Sequence, residues 1–438
     1  MRFAALREEE RNALHEAALS LLEETGLAAS AALVDTLQGG GLEVPGGGGR
    51  VRLPRRVVEQ ALAAAPRAVR LGARGEGRGL LLEGRRTYAA TDGCAAKAVD
   101  PTTGATRKAT LADVARSARL ADALSEFDLY WMMVSAQDVP RETRVAQEYR
   151  TALANTTMHV QMIDMARRDE ADALVQMARL LAEQGVVTSG PPVSALISVV
   201  SPLRLDPDGL EAALSFAAAD LPIVACSMPI ASVTSPATPA GNLLIAHAEC
   251  LALITILETL HPGAPVIYCS FASYADPRTG ATSYDDPRGT WTAAAAAQLG
   301  RSLGIPCFSS GGLLALMTGP DLTSGGGLIE TSTVLSDEQL VIDNEALRDC
   351  RIAAALPEVT PETLAVDVIR EVGPGGHFLA RKHTLRHMKE YVVTKYAGGD
   401  RERARQEARR LAESHSVPPL PAPIEAALAE IAAGAVRR

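Results

Sequence analysis

Residues 304–329 read GIPCFSSGGLLALMTGPDLTSGGGLI, and the spacing of the glycines here decides how the rest of the chain is read. Residues 305–310 form a short apolar run of strand character that ends at Gly311 and Gly312. Residues 321–324 form a second, which ends at Gly325, Gly326 and Gly327. Glycine at the end of a buried strand allows close approach to the backbone, so two such ends side by side predict the floor of a pocket. The join between them, residues 313–320, is short. Parallel strands need a crossover of about a dozen residues or more, usually a helix, and LLALMTGP can supply at most a stub of one.

Outward from this stretch, strands and helices alternate. Strand-like runs are predicted at 127–134, 158–165, 194–201, 222–228, 265–271, 305–310, 321–327 and 368–372. Helical periodicity is predicted at 145–155, 169–184, 207–220, 238–260, 290–303 and 336–356. This repeated strand-then-helix grammar predicts an α/β chain of the (β/α)8 barrel class, with its sixth βα unit truncated. A doubly wound open sheet would share the alternation, but no GxGxxG follows the first strand. Residues 1–109 read as an N-terminal appendage of helices and small strands. Residues 110–381 read as the barrel, opened by the capping pattern Thr110-Leu111-Ala112-Asp113. Residues 382–438 read as a helical tail packing on the barrel.

Composition limits the function. The 438 residues carry a net charge of −9 and no basic tract, which argues against nucleic-acid binding. Arg401 to Arg410 holds five arginines, but Glu402 and Glu407 interrupt them as on a solvated helix face. The six cysteines form no CxxC pair, and Cys226, Cys269 and Cys307 lie in apolar strand runs. They read as reduced and buried, which suits a cytoplasmic protein. The N-terminal amphipathic segment lacks the features of a signal peptide, and no window reaches the roughly 18 apolar residues of a membrane span. His383 and His387 have the spacing of a metal pair, but no third ligand accompanies them.

In a barrel the chemistry sits at the C-terminal strand ends. Those ends are Trp131 and Gln137, Asp164, Ser201, Ser227 and Met228, Phe271 and Tyr274, Gly311 and Gly312, Glu330, and His377 with Phe378. The group has several aromatics and few ionisable side chains, which suits a neutral or cationic organic substrate. No strand ends in the lysine that a Schiff-base enzyme would need. Aromatic faces attract a quaternary cation, and Trp131, Tyr268, Phe271, Tyr274 and Phe378 are the rings available.

Four stretches carry a resemblance: SMPIASVTSPATPAGNLLIAHAE from Ser227, HPGAPVIYCSFA from His261, SDEQLVIDNE from Ser336 and VGPGGHFLARKHTLRHM from Val372. Together with HEAALSLLEETG from His15, they resemble the trimethylamine methyltransferase family, and its branch without pyrrolysine most of all. The resemblance spans nearly the whole chain. It implies a (β/α)8 barrel and corrinoid-dependent methyl transfer, from a methylated amine to the Co(I) of a corrinoid held by a partner protein, in a methanogenesis-related family. Gly312 falls where the archaeal relatives carry pyrrolysine, so a quaternary amine such as a betaine is the expected substrate.

On this reading His377, Glu330, Phe271, Tyr274, Phe378, Gly311 and Gly312 would bind substrate, with His377 and the glycine-turn amides receiving a carboxylate if one is present. No residue is assigned acid–base or nucleophilic work, and no metal site is expected. By comparison with the family pattern, roughly 15–20 residues are missing near 313–320, where an ordinary crossover would stand. The alternative reading is therefore a degenerate barrel that binds ligand or partner without turnover. Large barrels often associate, so a homo-oligomer is a further open expectation.

Overall fold

A computed structural model describes residues 3–39, 42, 49–163, 165–283, 286–310, 312–355, 358–388 and 400–434. Eight parallel strands form the central sheet: β1 (Tyr88–Ala89), β2 (Leu129–Trp131), β3 (His159–Met162), β4 (Val193–Val199), β5 (Ile223–Ser227), β6 (Val266–Ser270), β7 (Cys307–Ser310) and β8 (Leu322–Ser324). Neighbours in the chain are neighbours in the sheet from β2 to β8, and β8 pairs with β1. A parallel bridge from Ala90 to Leu129 then brings β1 against β2 and closes the ring.

Alternation along each strand builds two cores. Inward-facing Leu129, Trp131, Leu196, Val224, Cys226, Ile267, Cys269, Phe308 and Leu322 fill the barrel. Outward-facing Tyr130, Val160, Ile197, Ala225, Val266 and Tyr268 pack against the surrounding helices. This is the period-2 logic of a sheet buried on both faces. The antiparallel pair Val69–Leu71 and Leu80–Leu82 plugs the bottom of the barrel, adding its apolar side chains to the interior.

Helix Pro239–Leu260 is apolar almost all round and mostly buried. Against the sequence expectation that no window reaches membrane-span length, it is the only described helix long and apolar enough to cross a membrane, but it lies buried between the barrel and the N-terminal helices Glu8–Glu24 and Arg55–Ala64. Helix Leu111–Ala123 starts as its capping pattern predicts: the backbone N of Thr110 donates to Asp113 Oδ2 at 2.8 Å. The tail helices Arg401–Ser414 and Ala422–Gly434 pack on barrel helices.

Two features of the sequence reading meet the structure differently. The short crossover behaves as expected. Residues Leu313–Thr318 make a six-residue helix wedged between helices Pro287–Ser302 and Asp337–Ala354. In chain order this is the seventh strand-to-strand crossover rather than the sixth, because β1 lies further upstream than predicted. The eighth predicted strand, 368–372, is a correction. Val366–Val372 is helical, with no buried residue and an Arg370–Asp367 ion pair at 2.9 Å, three residues apart. Its valines and isoleucine imitate a strand locally but meet no partner strand. Tyr88–Ala89 takes the vacant place, so the barrel begins inside segment 1–109, and the predicted boundary at 109/110 cuts through it. The stretch 358–381, placed in the barrel by sequence, has no buried residue and stands outside it.

Candidate active site at the barrel mouth

The C-terminal strand ends surround a cavity of about 350 Å³. Its inner wall is aromatic. Trp131 from β2 and Phe271, one residue beyond β6, stack with ring centroids 5.6 Å apart and planes at 20°. Phe308 of β7 meets both edge-on, at 5.5 Å and 5.2 Å. All three side chains point inward because they occupy alternate positions on strands whose register aligns them. Ile163, Met228, Ala293 and a set of serines and glycines complete the lining.

Among the described residues, one carboxyl enters this neutral setting. Asp92 follows β1, and it accepts a hydrogen bond from Ser332 Oγ at 2.7 Å and another from the backbone N of Gly93 at 2.9 Å. Asp92 is half-buried by accessible area, as a cavity-lining group must be, yet it sits deep enough that burial pushes its pKa up. Neither of its hydrogen-bond donors is a cation. Ser332 is held in place by an unusual turn: Glu330, Thr331 and Ser332 all have positive φ, at 52°, 58° and 59°. Such backbone is costly for side-chain-bearing residues and clusters where geometry must be held. The turn joins the strands Leu328–Ile329 and Val334–Leu335, so β8 and its hairpin aim Ser332 back at the end of β1.

The predicted site residues separate in space. Phe271 and Gly312 line the cavity, as do Trp131 and Met228. Gly312 has φ 94°, and a Cβ built on it would meet no atom within 4 Å, so the mouth is open on that side. Gly311 and Asp164 lie outside the described residues. Tyr274 is buried beside the site: its hydroxyl is 2.7 Å from Thr292 Oγ1 and the Arg288 guanidinium lies 4.5 Å over its ring. Tyr268 faces outward, with its hydroxyl 3.1 Å from Nδ1 of the buried His247, whose pKa burial pushes down to about 3.

Glu330 is exposed and points away, while its neighbour Ser332 enters the cavity. His377 and Phe378 are exposed and do not line it, since the strand that would have carried them there is absent. Gln137 serves its own loop, donating to the carbonyl of Ser135 at 2.9 Å. Ser201 and Ser227 both donate to the carboxyl of Glu249, at 2.7 Å and 2.5 Å, and so tie the ends of β4 and β5 to helix Pro239–Leu260.

Asp92 is the residue that sequence reading missed. Its signal was present in TYAATDG, a small-residue run ending in Asp-Gly, but that run was assigned to the appendage. Among the described residues no group of three or more His, Cys, Asp or Glu side chains is disposed to hold a metal ion.

Comparison with known proteins agrees with this architecture. The family model described as trimethylamine methyltransferase matches residues 1–317 and 314–434, and the two matches meet inside the short crossover. The chain is 29% identical to a trimethylamine methyltransferase of Desulfitobacterium hafniense, over 98% of this chain and 93% of that protein. It is 29% identical to a glycine betaine methyltransferase of another strain of that species, over 90% of this chain and 86% of that protein. Among solved structures, the monomethylamine methyltransferase of Methanosarcina barkeri shares the fold, with a TM-score of 0.54 at 14% identity over 95% of this chain and 90% of that one. With the family model matched from residue 1 to residue 434, through the barrel and both flanking segments, this protein belongs to the trimethylamine methyltransferase family.

Proposed function

We propose that the chain is a methyltransferase that moves a methyl group from a small methylated amine, of the quaternary kind, to the corrinoid of a separate protein. The observation that carries this is the pairing in one cavity of a single described carboxyl, Asp92, with the stacked rings of Trp131 and Phe271. A carboxylate and aromatic faces both attract a quaternary cation, and neither needs a hydrogen on its nitrogen. The names of its relatives, trimethylamine and glycine betaine methyltransferase, point to the same class of substrate.

A quaternary ammonium leaves as a neutral tertiary amine, so the protein need supply no acid, base or covalent nucleophile. Its work is to hold one methyl in line with the acceptor. Gly312, at the position the family resemblance matches to pyrrolysine, offers no side chain to activate a free amine. The corrinoid, when docked, supplies the reduced cobalt that accepts the methyl. The residues here fit such a planar group: Gly312 leaves the mouth open, and Met228, Leu313 and Met317 offer an apolar rim, each more than a third exposed. The reaction as proposed takes place in the cytoplasm with a corrinoid protein as partner, and it involves neither nucleic acid nor membrane.

The test is to mix the chain with a reduced corrinoid carrier and a panel of methylated amines, and to follow the optical change of cobalt on methylation. Transfer from a quaternary amine, and none from free trimethylamine, is expected. Absence of transfer from every amine overturns the proposal. The six-residue crossover helix favours a second reading, a barrel that binds its ligand without turnover. Calorimetric binding of a quaternary amine with no methyl transfer would support that one.

A further inference from the structure

Behind β8 lies a second, smaller cavity of about 140 Å³, between the outer face of β8 and helix Asp337–Ala354. It adjoins the short crossover, where a full-length unit would place more chain. Gly312, Ser324 and Gly325 line both this cavity and the main one, so the two meet at the ends of β7 and β8. Its volume suits a handful of non-hydrogen atoms, at roughly 30 Å³ for each water-sized unit.

Its polar groups are specific. Thr323 is 2% exposed and lines the cavity, and its Oγ1 has no hydrogen-bond partner among the described residues. A buried hydroxyl left unpaired is costly, so a ligand group that pairs with it is favoured. Asp343 also lines this cavity. It accepts from the backbone N of Gly327 and from Gln339 Nε2, both at 2.8 Å, and burial pushes its pKa up to about 6, so it is mainly ionised near neutrality. Arg401 acts on it only as a minor, longer-range influence.

The charges decide what can enter. Asp92 lines one cavity and Asp343 the other, and among the described residues no Lys, Arg or His lines either. A ligand carboxylate would bring another negative charge with no cation to receive it, and mispaired like charges discriminate strongly between ligands. A ligand hydroxyl can donate to Asp343 or exchange a hydrogen bond with Thr323.

We propose that the substrate is a methylated ammonium with a neutral, hydroxyl-bearing tail and no anionic group, its cationic head between Asp92 and the aromatic wall and its tail in the cavity behind β8. This rests on the proposed function and narrows its substrate class away from betaines. The probes are tetramethylammonium, choline and glycine betaine, titrated calorimetrically into the full chain. Choline is expected to bind at least about tenfold more tightly than glycine betaine. Thr323→Val, which keeps the shape and removes the hydroxyl, should weaken choline by roughly three- to tenfold and leave tetramethylammonium unchanged. Ala346→Trp, at an exposed helix position facing the small cavity, should do the same by filling it, and it decides the matter if Thr323→Val fails to fold. Glycine betaine binding as tightly as choline overturns this inference and leaves the methyl-donor reading standing. So does a pair of variants that alter choline and tetramethylammonium alike, or neither. Absence of binding by all three probes to the unaltered chain overturns both.

Discussion

Asp92→Asn removes the carboxylate that would face a bound cation while keeping the side chain's shape. The asparagine carbonyl can still accept from Gly93 N, and its amide can donate to Ser332 Oγ, so the local hydrogen bonds survive. At roughly 5 Å between carboxylate and ammonium, and an effective dielectric near 20, the charge pair is worth about 3 kcal/mol. Water retained in the cavity reduces that to a net loss of ~1.5–3 kcal/mol, a rise in Kd on the order of 10- to 150-fold. Stability should move the other way. Burial holds the folded pKa of Asp92 above its unfolded value, so this group's stabilisation is lost as pH rises through the folded pKa. At neutral pH the ligand-free variant should therefore melt at the same temperature as the parent or higher. The assays are calorimetric titration with tetramethylammonium and thermal unfolding without ligand. An unchanged Kd would refute the role given to Asp92. A joint fall in binding and in melting temperature would show that the carboxyl is part of the scaffold rather than a counter-charge.

Further outcomes follow from the same geometry. Phe271→Leu removes a ring that stacks on Trp131 and meets Phe308 edge-on, and should raise the Kd for a quaternary cation about three- to tenfold at a stability cost of ~1–2 kcal/mol. Calorimetry with a denaturant melt checks both. The pKa of Asp343 near 6 gives opposite signs for binding and stability. Choline affinity should fall as pH drops through about 6, because its hydroxyl donates best to ionised Asp343, while this group's contribution to ligand-free stability is greatest below its unfolded pKa and fades as pH rises through the folded one. Thermal shifts on adding choline should accordingly be larger at about pH 8 than at about pH 5. Glu249→Ala strands three donors, Ser201 Oγ, Leu203 N and Ser227 Oγ, and should cost ~2–4 kcal/mol by circular-dichroism melting. Lengthening the crossover after Gly312 by roughly 15 residues of helix-forming sequence should raise methyl transfer in the cobalt assay without weakening ligand binding. No gain would mean that the short crossover is harmless.

Local pattern carried most of the architecture. The strand runs from 127 onward read as strands because their residues are apolar and bounded by turns, and each pairs in the barrel up to β8. The capping pair Thr110 and Asp113 starts its helix as written, and residues 313–320 were too few for a full crossover on length alone. These are properties of neighbouring residues, so the sequence displays them. Closure of the ring is not such a property. Tyr88–Ala89 is a two-residue strand only because Tyr88 N donates to the carbonyl of Asp321 at 2.8 Å and Ala90 N to that of Thr323 at 2.7 Å. No local period records that pairing across more than two hundred residues. Val366–Val372 has the apolar content of a strand but no edge to join, so it coils into a helix.

The same long-range pairing moved the candidate site. With Val366–Val372 as the last strand, His377 and Phe378 would stand at the mouth; with Tyr88–Ala89 in that place, Asp92 does. The sequence by itself determined a barrel with one shortened crossover and glycine-lined strand ends. Only the tertiary structure decided which carboxyl faces the aromatic wall, because a strand's place in a closed sheet is settled by hydrogen bonds to distant chain rather than by its own composition.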